Sequence, residues 1–166
     1  MNIDRVAVAV VVLMMVASLV WPIYPSEQLL QHIPTLPALV ALAVIIDRKV
    51  LSRPAWWALL LFFILHVIGA RYIYSFVPYD EIARDVSGRT MGWRRNHYDR
   101  FVHLAFGLLL VLPIAELAAR HGRMPHTWTV LFAVSAVLAL SALYESFEWA
   151  LAVWLSPEYA KSYNGQ

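Results

Sequence analysis

The sequence predicts an all-α protein that crosses a membrane several times, with residues 1–166 forming one helical bundle. Of its 166 residues, 61% are hydrophobic and 14% are charged, whereas soluble domains have roughly 45–50% and about 25%. Long apolar runs separated by polar segments divide the chain. This pattern excludes a disordered protein, a nucleic-acid binder that works through a charged surface, and most soluble enzymes of this size.

The first apolar run extends from Val6 to Tyr24 and predicts a membrane-spanning helix, because about 20 residues cross the hydrocarbon core. A cleaved signal peptide is the alternative, but the run is long for one and no small-x-small cleavage site follows it. The second run, from Ile33 to Ile46, carries Pro34 and Pro37 in its first turn, where proline suits the start of a helix. It either spans with help from the preceding leucines or lies partly in the membrane interface.

Three further runs bring the prediction to about five membrane spans. They extend from Ala55 to Ala70, from Phe101 to Ala119 and from Trp128 to Leu155. The third run opens on Trp56 and Trp57, aromatic residues typical of the lipid headgroup level. Lys and Arg are divided almost evenly between the two sides, so they do not fix the orientation. The sequence has no cysteine, which excludes disulfides and zinc–thiolate sites.

Five ionisable side chains lie inside these runs or at their mouths, where burial in hydrocarbon makes them functional candidates. They are His66, Asp99, His103, Glu145 and Glu148. Asp99 and His103 are four residues apart, so they share one helical face. Glu145 and Glu148, three residues apart, share a face of the next run. Because consecutive spans alternate in direction, we expect all five side chains to lie in the same leaflet.

These three carboxylates and two imidazoles predict a metal site. They suit Zn, Fe or Mn, singly or as a pair, and are too rich in nitrogen for a dedicated calcium site. A divalent ion would lower the pKa of a bound water for hydrolysis or act in redox chemistry, and Glu145 or Glu148 would instead serve as a general base. The leading hypothesis is a metal-dependent hydrolase or oxidoreductase acting on a lipid or another substrate embedded in the bilayer.

Two other functions would use the same residues. In a proton- or ion-coupled transporter they would form a relay across the membrane. In a structural or assembly protein they would form buried salt bridges with nearby arginines and only fix the packing of the helices.

Polar residues around the fourth run are candidates for supporting roles. Asn96 and His97 would orient the metal ligands. Arg71, Arg94 and Arg95 would hold a phosphate headgroup of a lipid.

Glu116 lies on the fourth run but apart from the other carboxylates. It is 13 residues beyond His103, about 20 Å further along the helix and on another face. Its spacing favours an interfacial carboxylate beside Arg120, one helical turn away.

Three segments occur together in a fairly specific order: HVIGARYIYSFVP from His66, RNHYDRFVHLAFG from Arg95, and YESFEW from Tyr144. They resemble the YjdF-type family of bacterial inner-membrane proteins, a domain family of unknown function. The resemblance implies a multi-pass helical protein of the bacterial inner (cytoplasmic) membrane. It also implies that Tyr72, Arg100 and Glu116 belong with the polar residues of the site. Similar family members usually continue into a further acidic motif and a sixth membrane helix.

Overall fold

The computed structural model describes residues 3–45, 50–89 and 96–154, and the regular structure within these ranges is helical. The helices are α1 (Ile3–Leu19), α2 (Pro25–His32), α3 (Thr35–Ile45), α4 (Arg53–Arg71), α5 (Tyr79–Ser87), α6 (Tyr98–Gly122) and α7 (His126–Trp154). The predicted all-α fold is therefore confirmed.

Three helices in the described ranges are long and apolar enough to cross a membrane. They are Arg53–Arg71, Tyr98–Gly122 and His126–Ala150, and they correspond to the third, fourth and fifth apolar runs. The prediction of five spans is not confirmed. Helix α1 has 17 residues and is about 26 Å long, and α3 has 11 residues and is about 17 Å long. Both are shorter than a hydrocarbon core of about 30 Å.

The second apolar run begins with a turn at Ile33 and Pro34, which separates α3 from the preceding α2. The turn begins when the N–H of Ile33 bonds to the carbonyl of Leu30. Proline has no N–H to continue the helical ladder, so a new helix starts at Thr35 with Pro37 in its first turn. The prolines thus stand at a helix start, as the sequence predicts, but the resulting helix is short.

The helices pack as a row in which α4 lies between α1 and α6, and α7 lies on the far side of α6. Helices α2 and α3 cover α1 and α4. An apolar core joins α1, α3 and α4 through residues such as Val11, Leu39 and Phe63. Helix α7 packs chiefly along α6, and much of the rest of its surface is exposed, including Leu138 and Trp149.

The two ends of the bundle differ in the groups that link the helices. At the end where α1 and α4 terminate and α6 begins, which we call the polar end, Arg71 donates a hydrogen bond to the carbonyl of Ser18 (2.7 Å). At the same end the Tyr98 hydroxyl donates to the carbonyl of Leu65 (2.9 Å). At the opposite end, α4 begins beside Glu116 of α6.

Candidate functional site

Four ionisable side chains meet at the polar end of α6 and α7, and we call them the carboxylate–imidazole cluster: Asp99, His103, Glu145 and Glu148. The Nε2 atom of His103 lies 3.4 Å from Oδ1 of Asp99 and 3.5 Å from Oε1 of Glu145. One possible ligand atom from each of His103, Glu145 and Glu148 lies within 4.8 Å of the other two. The two predicted helical pairs therefore face each other across the α6–α7 contact.

The spacing of these donors is compatible with a bound metal ion. With metal–ligand bonds of about 2.1 Å in a tetrahedral site, neighbouring ligand atoms stand roughly 3.4 Å apart. The measured distances from His103 Nε2 to the two carboxylate oxygens have this size. The side chains of His103, Asp99 and Glu145 are 30%, 46% and 62% exposed, so the cluster lies at the surface of the helical bundle.

His66 does not join this cluster in the described part of the chain, contrary to the prediction that all five residues share one site. It is buried, and its Nε2 and Nδ1 atoms lie 2.5 Å from the hydroxyls of Thr35 and Tyr74. Both ring nitrogens are thus engaged with neighbouring side chains. Neither partner of His66 is indicated by its position along the third apolar run.

Tyr74 reaches His66 because the chain folds back sharply after α4. Ile73 and Tyr74 have φ angles of 43° and 56°, a left-handed conformation that is uncommon for a β-branched residue such as isoleucine. The ring of Tyr74 lies on Gly69, where a Cβ atom would stand only 2.5 Å from it. Glycine is therefore required for this close approach, and burial raises the pKa of the Tyr74 hydroxyl well above its usual value.

A cavity of about 750 Å³ lies between α3, α4, α6 and α7. Its polar lining residues gather at the polar end, where His66 and Tyr74 face His103 and Tyr144. Tyr144 closes this end by donating a hydrogen bond to Oε1 of Gln31 (2.6 Å). Hydrocarbon side chains form most of the remaining wall. The cavity therefore connects an apolar interior to one member of the carboxylate–imidazole cluster.

A second polar group, missed by the sequence analysis, lies where α1 meets α2. Gln28 donates to the carbonyl oxygen (2.9 Å) and the Oγ atom (3.0 Å) of Ser18, and His32 Nε2 lies 3.5 Å from that Oγ atom. All three are buried, and among the described residues Oε1 of Gln28 and Nδ1 of His32 lack a hydrogen-bond partner. Burial lowers the pKa of His32 from its usual value. Gln28 and His32 lie between the first two apolar runs and not inside one, so the rule that selects ionisable residues within apolar runs does not select them.

Comparison with protein-family models matches residues 3–166 to a family described as predicted membrane protein (DUF2238). The chain belongs to the DUF2238 family. Membership and the three long apolar helices agree that this is a membrane protein. Comparison of this DUF2238 protein with curated proteins and with solved structures gave no match. The narrower YjdF-type resemblance and the bacterial inner membrane stay predictions.

The residues predicted to support the site in this DUF2238 protein lie mainly in the connection between α4 and α6. Asn96 donates to the carbonyl of Val77 (2.5 Å) and accepts from the N–H of Tyr98 (2.8 Å). It thereby fixes the start of α6, on which Asp99 and His103 stand. His97 Nδ1 lies 3.4 Å from Nη1 of the exposed Arg100.

The remaining predicted residues lie away from the cluster or outside the described ranges. Tyr72 packs against the apolar group at the end of α4 that includes Tyr74 and Val77. Arg71 donates to the end of α1, as described above, so part of its guanidinium serves a structural contact. Arg94 and Arg95 lie outside the described residues.

Glu116 lies at the opposite end of α6 from the cluster, about 20 Å from His103 along the helix. Its Oε2 atom accepts from the N–H of Ser52 (2.6 Å), and its Oε1 atom accepts from the Ser52 hydroxyl. The expected partner Arg120 is at 4.0 Å, the weaker of the two contacts. Glu116 is therefore chiefly an anchor for the start of α4, and sequence spacing could not reveal a partner 64 residues away.

Proposed function

We propose that this DUF2238 protein is a metal-dependent enzyme acting on a lipid-like substrate held in the bilayer. The supporting observation is the cluster in which donor atoms of His103, Glu145 and Glu148 lie within 4.8 Å of one another. This cluster borders an apolar cavity through His103. An imidazole with several carboxylates suits Zn, Fe or Mn.

The proposed chemistry assigns different tasks to the four side chains. A bound ion would supply Lewis acidity and a water of lowered pKa. His103, Glu145 and Glu148 would hold the ion, together with Asp99 beside His103. Glu145, whose side chain is the most exposed of these members at 62%, would also exchange protons as a general base.

Elemental analysis of the detergent-purified protein tests this proposal. We expect about one Zn, Fe or Mn ion per chain in the wild type and loss of that ion in His103→Ala and Glu148→Gln, because each substitution removes a ligand. His121→Ala is the matched control, since His121 is an exposed histidine at the opposite end of α6. Its metal content should equal that of the wild type.

Two outcomes would overturn the metal assignment. One is a wild-type content below a few tenths of an ion per chain after incubation with each metal. The other is an equal content in wild type and His103→Ala. Unchanged elution as a single species on size exclusion would show that the variants keep their fold, so that loss of metal is not confused with unfolding.

A proton-coupled carrier is the second candidate, and the environment of His66 favours it. Its two ring nitrogens lie between the hydroxyls of Thr35 and Tyr74, an arrangement in which a neutral imidazole can pass a proton from one hydroxyl to the other. This function requires solute flux into proteoliposomes that depends on a pH gradient and is lost in His66→Phe. It requires no bound metal, so the elemental analysis separates it from the enzyme.

A further inference from the structure

The cavity between α3, α4, α6 and α7 has the shape and lining of a binding site for a hydrocarbon chain. We propose that it holds one long chain of a membrane amphiphile, with the polar end of that molecule at the carboxylate–imidazole cluster. This inference names the substrate class of the proposed enzyme, and the role of the bound molecule as a substrate rests on that proposed function. Binding of the chain itself can be measured independently of the metal.

The lining of the cavity favours hydrocarbon over a polar ligand. Most of its wall consists of side chains such as Leu59, Phe63 and Leu110. At the polar end of the cavity, three side-chain hydroxyls already form hydrogen bonds within the protein: those of Thr35 and Tyr74 with His66, and that of Tyr144 with Gln31. A polar ligand would therefore lose its hydrogen bonds to water without replacing them, which is unfavourable in an apolar medium.

The dimensions of the cavity match a long chain. Its lining on α6 follows one helical face from Val102 and His103 through Leu110 to Leu117. Leu117 lies 14 residues beyond His103, about 21 Å along the helix, which is more than one leaflet of a hydrocarbon core about 30 Å thick. The volume of about 750 Å³ lies within the range of roughly 300–1,000 Å³ that small-molecule sites occupy.

A hydrocarbon chain can enter this cavity from the lipid through the gap between α3 and α7. These helices form opposite walls, and α7 packs chiefly on α6. Leu140 and Leu143 of α7 line the cavity and are also 45% and 67% exposed, so they mark a lateral opening. On the facing wall, the small side chains of Ala38 and Ala41 leave room for a chain to pass.

Photo-crosslinking in lipid nanodiscs tests the inference with a defined probe. The probe is palmitic acid that carries a diazirine at the end of its chain, and mass spectrometry maps the labelled residues. We expect labelling around Pro113 and Leu117, deep in the cavity, in the wild type. An octanoic acid with the same terminal group should label residues nearer to His103, because its chain is shorter.

Two tryptophan substitutions on α3 give a matched comparison. Ala38→Trp fills the cavity and should reduce deep labelling at least fivefold, whereas Ala43→Trp, at an exposed position outside the lining, should leave it unchanged. The inference is overturned if the wild type is labelled only on exposed positions such as Leu108 and Leu138. It is also overturned if Ala38→Trp folds and labels like the wild type. The wild-type map decides alone if Ala38→Trp does not fold.

The same experiment separates this inference from the proposed enzyme. Deep labelling that persists in His103→Ala, together with absence of metal from the wild type, would keep the chain site and remove the metal-dependent function. Bound metal without deep labelling in the wild type would support the metal site and contradict the hydrocarbon-chain site. Each of these results would therefore contradict only one of the two proposals, the metal-dependent function or the hydrocarbon-chain site.

Discussion

Replacement of Glu116 by alanine should destabilise the protein through the start of α4, not through the carboxylate–imidazole cluster. Glu116 accepts from both the N–H and the hydroxyl of Ser52, and Ser52 in turn caps α4 by accepting from the N–H of Ala55. The Glu116 side chain is 19% exposed, so water does not readily replace it. The substitution removes a negative charge from a helix N-terminus and leaves partly buried donors without an acceptor.

The expected loss follows from these contacts. A hydrogen bond to a charged group contributes about 1.5–3 kcal/mol, and a carboxylate near a helix N-terminus adds about 0.3–1 kcal/mol. Because the two bonds share one residue pair, we expect about 3 kcal/mol in total rather than the sum of two full bonds. For a chain of this size each kcal/mol shifts the Tm by about 2–4 °C, which predicts a decrease of roughly 6–12 °C.

Thermal unfolding in detergent, followed by tryptophan fluorescence, measures this decrease. Glu116→Gln keeps one acceptor oxygen and should lose about half as much stability. In the double variant with Glu116→Ala and Ser52→Ala, the loss in free energy of unfolding should differ from the sum of the two single losses by about 1–2 kcal/mol. Arg120→Ala should cost less than about 1 kcal/mol because its contact is long and half-exposed. An Arg120→Ala variant as unstable as Glu116→Ala, or strict additivity with Ser52→Ala, would refute the reasoning. Unchanged metal content in Glu116→Ala would separate the residue from the proposed site.

Two further predictions concern the buried polar end. Gly69→Ala should destabilise by about 1–3 kcal/mol, since its Cβ would stand 2.5 Å from the buried Tyr74 ring. Gly107→Ala is the control, because no atom beyond its chain neighbours and the nearby backbone of its own helix lies within 4 Å of the new Cβ. An equal Tm in the two variants would contradict this prediction. Burial lowers the pKa of His32, so below its ordinary pKa of about 6.5 the unfolded state binds more protons and stability falls with falling pH. The difference in Tm between about pH 8 and about pH 5 should therefore shrink in His32→Gln, and an undiminished difference would contradict the assignment.

The sequence predicted best what depends on one helix at a time. Spacings of four and three residues placed Asp99 with His103 and Glu145 with Glu148, because residues one turn apart share a face. Alternating direction then placed both pairs at the same depth. The rotation of α6 and α7 that makes these faces meet comes from packing, so their distances required the structure.

Contacts between distant segments were not predictable in the same way. Thr35 meets His66 only because the turn at Pro34 shortens the second apolar run into α3, and Tyr74 meets it only because two residues adopt left-handed φ angles. Hydrophobic periodicity contains no signal for either event. The expectation for Glu116 was incomplete for a similar reason: the local rule correctly pointed to Arg120, at 4.0 Å, while the shorter contact is to Ser52 at the start of α4.

The attachment of α7 makes the geometry of the cluster depend on the tilt of a single helix. Asp99 and His103 belong to α6, whereas Glu145 and Glu148 belong to α7, which begins at His126. Glu145 stands about 28 Å along α7, so pivoting that helix by about 2° at its start moves the carboxylate by about 1 Å. Metal coordination tolerates only about 0.2 Å. A small tilt of α7 would therefore change both the width of the gap between α3 and α7, where we propose that a hydrocarbon chain enters, and the affinity of the proposed metal site.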